Sequence, residues 1–314
     1  MVGLRIAVRL VVWTLVAALA CITTTAQAPA NPVIPPVGTI IHRDMAYVPN
    51  GHERQKLDLY LPQSAPRPLP LIVAVHGGAW SRNDKANHAN TAWITPILIK
   101  AGYAVASLNY RFSQHATFPA QIHDVKAAVR WLRSNAAMYG LDSNRFGAWG
   151  PSSGGHLVSL LGTSAGVSAM DGTLGITNQG TRVQAVIDWY GATDFLQMDA
   201  HRLPDGDTHD APDSPESRLL GGPLEKMREA AKAANPITYV TQDDSPFLIL
   251  HGDRDPTVPP HQSVLLRDAL TAAGVKVQHH IVVGGEHGGP LFQTNEIAQM
   301  VVGFFDQHLR RSAN

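Results

Sequence analysis

Short apolar runs alternate with amphipathic stretches along most of the chain. Continuous apolar runs such as Leu71–Val75 are typical of strands covered on both faces, whereas Lys56–Tyr60 has the period of two of a half-buried strand. Ile122–Ser134 repeats apolar residues at helical spacing. The full pattern predicts strands over Lys56–Tyr60, Leu71–Val75, Ala104–Leu108, Phe146–Trp149, Val183–Trp189, Pro246–Leu250 and Val275–Val283, and helices over Ile122–Ser134, His156–Leu161, Ser263–Ala273 and Glu296–Leu309. This alternation favours an α/β fold with a mostly parallel central sheet and helices on both faces.

The first residues of the chain have the pattern of an export signal. Arg5 and Arg9 precede the apolar stretch Leu10–Ile22, which has the length of a signal-peptide core and is too short for a typical membrane span. The residues Ala26-Gln27-Ala28 fit a cleavage site. We therefore predict a signal peptide over residues 1–28 and an exported protein, periplasmic or secreted.

Two alternatives concern the end of this segment. The small residues 18–20 before Cys21 form a second cleavage candidate and resemble a lipoprotein box, so lipid anchoring through Cys21 stays open, as does an uncleaved anchor. The proline-rich residues 29–38 predict an extended linker. We expect one domain over residues 39–312, without stable membrane insertion of the mature domain.

The composition excludes several classes of function. The chain has 314 residues, with 25 Lys or Arg against 25 Asp or Glu, so its formal net charge is zero. Because proteins that bind nucleic acid usually carry a basic excess, no nucleic-acid partner is predicted. Cys21 is the only cysteine and lies in the predicted signal segment, so the mature chain has no thiol nucleophile and no cysteine metal site.

A candidate nucleophile lies in residues 150–154, Gly-Pro-Ser-Ser-Gly, which match the pattern G-x-S-x-G. An apolar strand precedes this segment and a predicted helix follows it, as the strand–turn–helix of a nucleophile elbow requires. The glycines permit the tight turn that exposes the hydroxyl of Ser152. Ser153 is out of register with the flanking glycines, and we expect its backbone N–H to serve an oxyanion instead.

A second loop, residues 76–80, has the sequence His-Gly-Gly-Ala-Trp and directly follows a buried strand. A sharply bent backbone at this place turns consecutive N–H groups into a cavity, where they stabilise a developing negative charge. His76 itself is expected to be a structural residue and not a proton carrier.

A serine nucleophile requires a base. His287 is the candidate among 15 histidines, because it lies in the glycine-rich residues 284–289 after the last predicted strand, on a loop at the carboxyl edge of the sheet. His279 and His280 lie within that strand and are expected to be ordinary sheet residues.

The base requires an acid that orients it. The loop after the preceding strand carries Asp253 and Asp255. Asp255 lies further out on this loop and is the candidate to orient His287, whereas Asp253 is expected to cap its own turn. The resulting order Ser152, Asp255, His287 is the order of an α/β-hydrolase.

Several motifs occur in a fixed order along the chain, namely HGGAW at 76–80, NYR at 109–111, FP at 118–119 with Asp124, GPSSGGH at 150–156, SPE at 214–216 and HGDRDPTVP at 251–259. Together they resemble the esterase/lipase group of α/β-hydrolases. Within that group the chain is most similar to the branch of bacterial feruloyl- and acetylxylan-esterase-like enzymes, with kynurenine formamidase as a relative. The resemblance covers about residues 40–310.

The resemblance implies the α/β-hydrolase fold and hydrolysis of carboxylic esters through an acyl-enzyme. It implies a triad of Ser152, Asp255 and His287, and an oxyanion hole formed by the N–H groups of Gly78, Ala79 and Ser153. Neither a cofactor nor a metal is expected. Two residues depart from the pattern of the family. Ala79 replaces the glycine of many relatives and is expected to narrow the acyl pocket, and Pro151 is expected to stiffen the entrance to the elbow.

We therefore expect an exported serine carboxylesterase that acts on short-acyl esters of small molecules or carbohydrates. An arylformamidase-type amidase is an alternative, but its usual cytoplasmic setting conflicts with the export signal. A non-catalytic binding protein on the hydrolase scaffold is a second alternative, and it would be expected to lack a member of the triad.

One polar stretch, residues 196–222, interrupts the pattern and contains Pro204, Pro212 and Pro215. We predict an inserted loop here that overhangs the site and contributes to substrate selection. Its acidic and histidine side chains are possible ligands of calcium or zinc, but they lack a regular ligand spacing, so a solvated loop is expected. These residues are Asp199, His201, Asp205, Asp207, His209, Asp210 and Asp213.

Overall fold

The computed structural model describes residues 32–310, and a sheet of eight strands forms its centre. The strands are β1 (Thr39–Ala46), β2 (Lys56–Pro62), β3 (Leu69–Val75), β4 (Ala104–Leu108), β5 (Leu141–Pro151), β6 (Ala185–Trp189), β7 (Phe247–Gly252) and β8 (Val277–Val282). Their spatial order is β1-β2-β4-β3-β5-β6-β7-β8. The β1–β2 and β2–β4 pairs are antiparallel and the other five are parallel. The predicted α/β architecture is confirmed.

Helices cover both faces of the sheet. They are α1 (Ala89–Lys100), α2 (Ala120–Ser134), α3 (Ala136–Tyr139), α4 (Ser153–Thr163), α5 (Ser168–Asp171), α6 (Pro215–Leu220), α7 (Arg228–Ala234), α8 (His261–Ala272) and α9 (Asn295–Leu309). Buried residues of α2, α4 and α8 belong to one apolar cluster, and those of α1 and α9 belong to a second cluster.

The central strand β3 shows why its apolar run is continuous. Leu71, Val73 and Val75 contribute to the first cluster, whereas Ile72 and Ala74 contribute to the second. Since successive side chains of a strand point to opposite faces, a strand between two layers of helices must be apolar at every position. This packing fixes the carboxyl ends of the parallel strands, from which the loops of the site emerge.

Several elements differ from the predicted ones. Strand β1 was not predicted, because His42, Arg43 and Asp44 interrupt its apolar pattern. Helix α1 was not predicted either, and it contains Pro96. Strand β5 is longer than the predicted Phe146–Trp149, because it also includes the polar residues 142–145.

The insert, residues 196–222, is more ordered than the predicted loop. It contains helix α6, which begins at Pro215. Proline is tolerated there because the first turn of a helix leaves its N–H groups without helical acceptors. The side chain of Ser214 caps this helix by accepting a hydrogen bond from the N–H of Ser217, and Gly221 ends it in the left-handed conformation.

The predicted signal peptide, with Cys21 and both cleavage candidates, lies outside the described residues. In the predicted linker, residues 32–37 form neither helix nor strand, and β1 begins at Thr39. Within residues 32–310, no helix combines the length and the apolar character needed to cross a membrane.

Candidate active site

Ser152 lies in the turn between β5 and α4 and has backbone angles of φ 56° and ψ −125°. This left-handed region is unfavourable for a residue with a side chain, and such strain is concentrated at functional sites. Neighbouring backbone enforces the turn, because a Cβ atom at Gly154 would lie 2.1 Å from the carbonyl oxygen of Val75. The N–H of Ser152 donates to the carbonyl of Trp189, which ties the turn to β6.

The structure brings Ser152, His287 and Asp255 together in one hydrogen-bonded chain. Nε2 of His287 lies 2.8 Å from Oγ of Ser152, and Nδ1 of His287 lies 2.7 Å from Oδ2 of Asp255. In the sequence, Ser152 is 103 positions from Asp255 and 135 positions from His287. The three side chains meet because their loops leave the same edge of the sheet. Ser152 and His287 are partly accessible, whereas Asp255 is fully buried.

The carboxylate of Asp255 is held from both sides. Its Oδ1 accepts hydrogen bonds from the N–H groups of Thr257 and Val258, at 2.8 and 2.9 Å. Its Oδ2 also lies 3.2 Å from Nε2 of His251. Burial by itself would raise the pKa of Asp255, but the hydrogen bonds from His251 and His287 outweigh burial and hold the pKa well below its usual range. This acid therefore stays ionised beside His287.

The carboxylate of Asp253 makes a different hydrogen bond from the one that was predicted. Its Oδ1 accepts a hydrogen bond from the N–H of Gly284, at 2.7 Å, and so links the loop after β7 to the loop after β8. This contact joins two loops, so it is not the predicted cap of the turn that contains Asp253. Of the two carboxylates on this loop, Asp255 makes the contact with His287.

The loop after β3 has an unusual backbone. Gly78, Ala79 and Trp80 all have positive φ, at 124°, 53° and 53°. A Cβ atom at Gly78 would lie 2.4 Å from the carbonyl oxygen of Arg82, so this position requires glycine. Within residues 32–310, the N–H groups of Gly78, Ala79 and Ser153 donate no hydrogen bond. Of these three residues, Ala79 and Ser153 line the same cavity as Ser152.

His76 is buried, and both of its ring nitrogens have partners. Nδ1 lies 2.8 Å from the carbonyl oxygen of Gly77, and Nε2 lies 3.3 Å from the guanidinium of Arg54. Its ring stacks on Tyr110 at 4.7 Å. Burial lowers the pKa of His76 to about 3, so the ring is neutral at physiological pH. This arrangement supports the loop and leaves no nitrogen of His76 free for Ser152.

Tyr190, which has no motif around it in the sequence, packs on His287, and Asn90 in turn holds Tyr190. The ring of Tyr190 packs against the imidazole of His287 with centroids 4.7 Å apart. The hydroxyl of Tyr190 accepts a hydrogen bond from Nδ2 of Asn90, at 2.7 Å. Tyr190 directly follows β6. This position at the end of a strand is the sequence feature that could have identified it as a site residue.

A cavity of about 280 Å³ opens beside Ser152. Ala79 and Trp80 line one part of it, and the segment 207–216 of the insert lines another part. The predicted position of the insert over the site agrees with this arrangement. Within residues 32–310, no group of three or more His, Cys, Asp or Glu side chains has the geometry to hold a metal ion.

The BD-FAE family profile matches residues 57–270 of the chain. Esterase LipQ of Mycobacterium tuberculosis is 34% identical over 249 residues, which are 78% of this chain and 56% of LipQ. Esterase LipC of the same organism is 30% identical over 298 residues, which are 91% of this chain and 71% of LipC. The chain thus spans little more than half the length of LipQ.

A solved structure extends this similarity to three dimensions. A truncated form of a carbohydrate esterase from gut microbiota superposes with a TM-score of 0.78 and 36% sequence identity, covering 87% of this chain and 98% of that chain. The resemblance to esterases inferred from the motifs is confirmed. The chain belongs to the BD-FAE family and has the α/β-hydrolase fold of its esterase relatives.

Proposed function

We propose that the protein is a serine carboxylesterase that hydrolyses short-acyl esters through an acyl-enzyme. The observation that carries this proposal is the chain of hydrogen bonds from Ser152 through His287 to Asp255, with distances of 2.8 and 2.7 Å. The esterase names of LipQ and LipC and the carbohydrate esterase structure support the same chemistry.

In the first half of the reaction, Oγ of Ser152 attacks the carbonyl carbon of the ester. Nε2 of His287 accepts the hydroxyl proton as the new C–O bond forms. Asp255 accepts the Nδ1–H hydrogen bond, so it holds the tautomer that presents a free Nε2 and stabilises the imidazolium that results. Tyr190, packed on the ring, restricts its orientation.

The tetrahedral intermediate carries a negative charge on the former carbonyl oxygen. The N–H groups of Gly78, Ala79 and Ser153 are the candidate donors, because none of them donates within residues 32–310. Preorganised donors of this kind stabilise the oxyanion without reorganisation during the reaction. Collapse of the intermediate breaks the C–O bond to the alcohol, which takes the proton from His287. A water molecule then repeats the sequence on the acyl-enzyme, with His287 as its base.

The size and walls of the cavity favour small acyl groups. Its volume of about 280 Å³ lies just below the range of about 300–1,000 Å³ that is typical of ligand pockets. Trp80 is fixed beside it, since its Nε1 donates to Nδ1 of the buried His156, at 3.1 Å. We further propose that the mature enzyme is exported, on the basis of the signal pattern of residues 1–28, and that its ester is borne by a small molecule or a carbohydrate.

Covalent labelling tests the proposed function. The purified mature chain is incubated with a fluorophosphonate probe, and the labelled peptide is identified by mass spectrometry. We expect labelling at Ser152 and none in the Ser152→Ala variant, whose thermal melting should match the wild type. Absence of labelling, or retention of more than about a tenth of the activity in Ser152→Ala, would overturn the proposal, because loss of the nucleophile typically costs about 10⁴-fold or more. Comparison of p-nitrophenyl acetate with N-formylkynurenine then separates an esterase from an arylformamidase.

A further inference from the structure

The side chain of Arg54 contacts the loop after β3 from outside that loop. Arg54 lies between β1 and β2 and is half-buried. Its Nε donates to the carbonyl oxygen of Tyr110 at 2.9 Å. Its Nη2 donates to the carbonyl oxygen of Asn83 at 3.1 Å and lies 3.3 Å from Nε2 of His76. The guanidinium carbon lies 3.5 Å from the centroid of the Phe112 ring. Within residues 32–310, Arg54 forms no salt bridge with a carboxylate, so these contacts hold its side chain.

The contact with Arg54 determines which nitrogen of His76 carries the hydrogen. Arginine only donates hydrogen bonds, so Nε2 of His76 accepts and Nδ1 carries the hydrogen of the neutral ring. Nδ1 lies 2.8 Å from the carbonyl oxygen of Gly77 and donates to it. Nδ2 of Asn83 donates to the same oxygen at 3.0 Å. The carbonyl of Gly77 therefore accepts two hydrogen bonds, and Arg54 contacts both of the residues that donate them.

The carbonyl of Gly77 and the N–H of Gly78 belong to one peptide group beside the nucleophile, since a Cβ atom at Gly77 would lie 3.3 Å from Cβ of Ser152. The group is planar and trans, so its C=O and N–H bonds point in opposite directions. Hydrogen bonds that hold the carbonyl therefore also fix the direction of the N–H. Because glycine flanks the group on both sides, no Cβ atom hinders its rotation, and other side chains must hold it.

The next peptide group is held within the loop itself. The carbonyl of Gly78 accepts hydrogen bonds from the N–H groups of Ser81 and Arg82, at 3.0 and 3.1 Å. These bonds fix the direction of the Ala79 N–H in the same way. Of the two candidate oxyanion donors on this loop, Ala79 is thus oriented by local backbone, whereas Gly78 depends on side chains that Arg54 contacts.

We propose that Arg54 is a positioning residue for the N–H of Gly78 as a donor of the oxyanion hole. Arg54 acts through the side chain of His76 and the backbone of Asn83, and it lies outside the wall of the cavity beside Ser152. Without the guanidinium, the ring of His76 is no longer held in the tautomer that donates to the carbonyl, and the peptide group is free to rotate. This inference rests on the proposed function, because the N–H has this role only in that reaction.

Arg54→Met tests the inference, because methionine can still pack on Phe112 but donates no hydrogen bond. Hydrolysis of p-nitrophenyl acetate gives kcat and KM, and titration with the fluorophosphonate gives the concentration of active enzyme. We expect kcat to fall at least tenfold while KM stays within about threefold, since complete loss of one oxyanion donor typically costs about 10²–10³-fold.

A trifluoromethyl ketone separates a positioning role from a structural one. Oγ of Ser152 adds to the carbonyl carbon of 1,1,1-trifluoro-2-butanone, His287 takes the hydroxyl proton, and the former carbonyl oxygen becomes an oxyanion. The inhibition constant should therefore rise at least tenfold in Arg54→Met, in parallel with the loss of kcat. A loss of folded enzyme alone would lower the rate and leave the inhibition constant unchanged, because that constant does not depend on the enzyme concentration.

Arg133→Met is the matched control. Arg133 is also half-buried and lies over the ring of Phe146. Its guanidinium donates to three backbone carbonyls, those of Ser143, Gly180 and Arg182. Ser143 lies near the start of β5, whereas Ser152 follows the end of this strand. The control variant should lose thermal stability but keep the kcat and the inhibition constant of the wild type.

Asn83→Gly removes the other donor to the carbonyl of Gly77 and leaves Arg54 in place. Asn83 is exposed and has a φ of 78°, which glycine adopts readily, so this variant should fold. It is likewise expected to lower kcat and to raise the inhibition constant of the ketone.

Values of kcat and of the inhibition constant within twofold of the wild type in Arg54→Met would overturn the inference. A fall of kcat with an unchanged inhibition constant would overturn it as well, as would equal changes in Arg133→Met. If Arg54→Met does not fold, the same two measurements on Asn83→Gly decide. Failure of the proposed function has a different signature, because then the wild type hydrolyses no ester and the fluorophosphonate does not label Ser152.

Discussion

Oδ2 of Asp255 lies 3.2 Å from Nε2 of His251, so the acid that contacts His287 has a second imidazole beside it. His251 is itself fixed, because Nδ1 lies 2.6 Å from Oγ of Ser263 and Nε2 lies 3.0 Å from the carbonyl oxygen of Val258. The carboxylate is thus oriented by groups from its own loop and from the end of β7. This arrangement distinguishes Asp255 sharply from its neighbour Asp253.

The first prediction follows from that difference. Asp255→Asn is expected to lower kcat by about 10⁴-fold, because an amide neither holds the imidazole tautomer nor balances the imidazolium. Asp253→Asn should cost far less, since Asp253 contacts the N–H of Gly284 and an amide oxygen accepts the same hydrogen bond. The measurement is kcat on p-nitrophenyl acetate, with thermal melting as the control. Equal losses in two equally stable variants would contradict the assignment of the acid.

The sequence predicted the positions of Ser152, Asp255 and His287 because each follows a recognisable strand. Parallel strands present their carboxyl ends at one edge of a sheet, so residues far apart in sequence meet there once the strand order is right. The turn chemistry at residues 150–154 also restricted the choice of nucleophile. These signals are local, and the structure brings the three side chains within hydrogen-bonding distance.

Other parts of the site had no such local signal. The positions of His209 and Glu216 on the cavity wall depend on the path of the insert, whose short turns and helix α6 were predicted as one loop. His209 and Glu216 contact each other, but His209 lies outside helix α6 and Glu216 lies within it. A helical or strand period in the sequence therefore does not predict this contact. Tyr190 likewise reaches His287 through tertiary packing, which a strand pattern does not encode.

The second prediction concerns acid stability. His156 is fully buried, and burial lowers its pKa to about 4 from an ordinary value of 6.5. The unfolded chain therefore binds a proton at this site between about pH 6.5 and 4 while the folded chain does not, so stability is present above pH 6.5 and is lost as the pH falls through this window. Protonation would also end the hydrogen bond that Nδ1 accepts from Trp80.

The variant His156→Gln tests this, because glutamine retains one acceptor for Trp80 and one donor for the carbonyl of Ala234. Urea unfolding gives the free energy of unfolding of each protein at pH 7 and at pH 5. The decrease from pH 7 to pH 5 should be about 2 kcal/mol larger in the wild type than in the variant. Other buried histidines such as His76 contribute equally to both proteins and cancel. Parallel losses in the two proteins would refute the prediction.

The third prediction is that hydrolysis does not require a metal ion. In the proposed mechanism, backbone N–H groups stabilise the oxyanion and His287 is the base, so no Lewis acid has a step to perform. In the insert, both oxygens of Asp199 are occupied by backbone N–H groups. The rate on p-nitrophenyl acetate should be unchanged after dialysis against EDTA. A loss that calcium or zinc restores would instead indicate a metal site in the insert.

The last prediction is a preference for short, soluble esters over long-chain triglycerides. An interfacial lipase needs a mobile lid with a broad apolar face that rests on lipid. The insert does not offer such a face, because its apolar side chains Met198, Leu219 and Leu220 are buried in the main core and Leu203 is half-buried.

The loop after β3, which contains Ala79, points to the same preference. Ala79 carries a methyl group beside Ser152, at a position where a glycine would leave more room for the acyl chain. The test is kcat/KM for p-nitrophenyl esters of increasing chain length, with Ala79→Gly as the matched variant. We expect the wild type to peak between acetate and butyrate, and Ala79→Gly to move the optimum towards longer chains by relieving the crowding. A wild-type peak at palmitate with activation on emulsified lipid would show that the insert opens as a lid, which its buried leucines otherwise oppose.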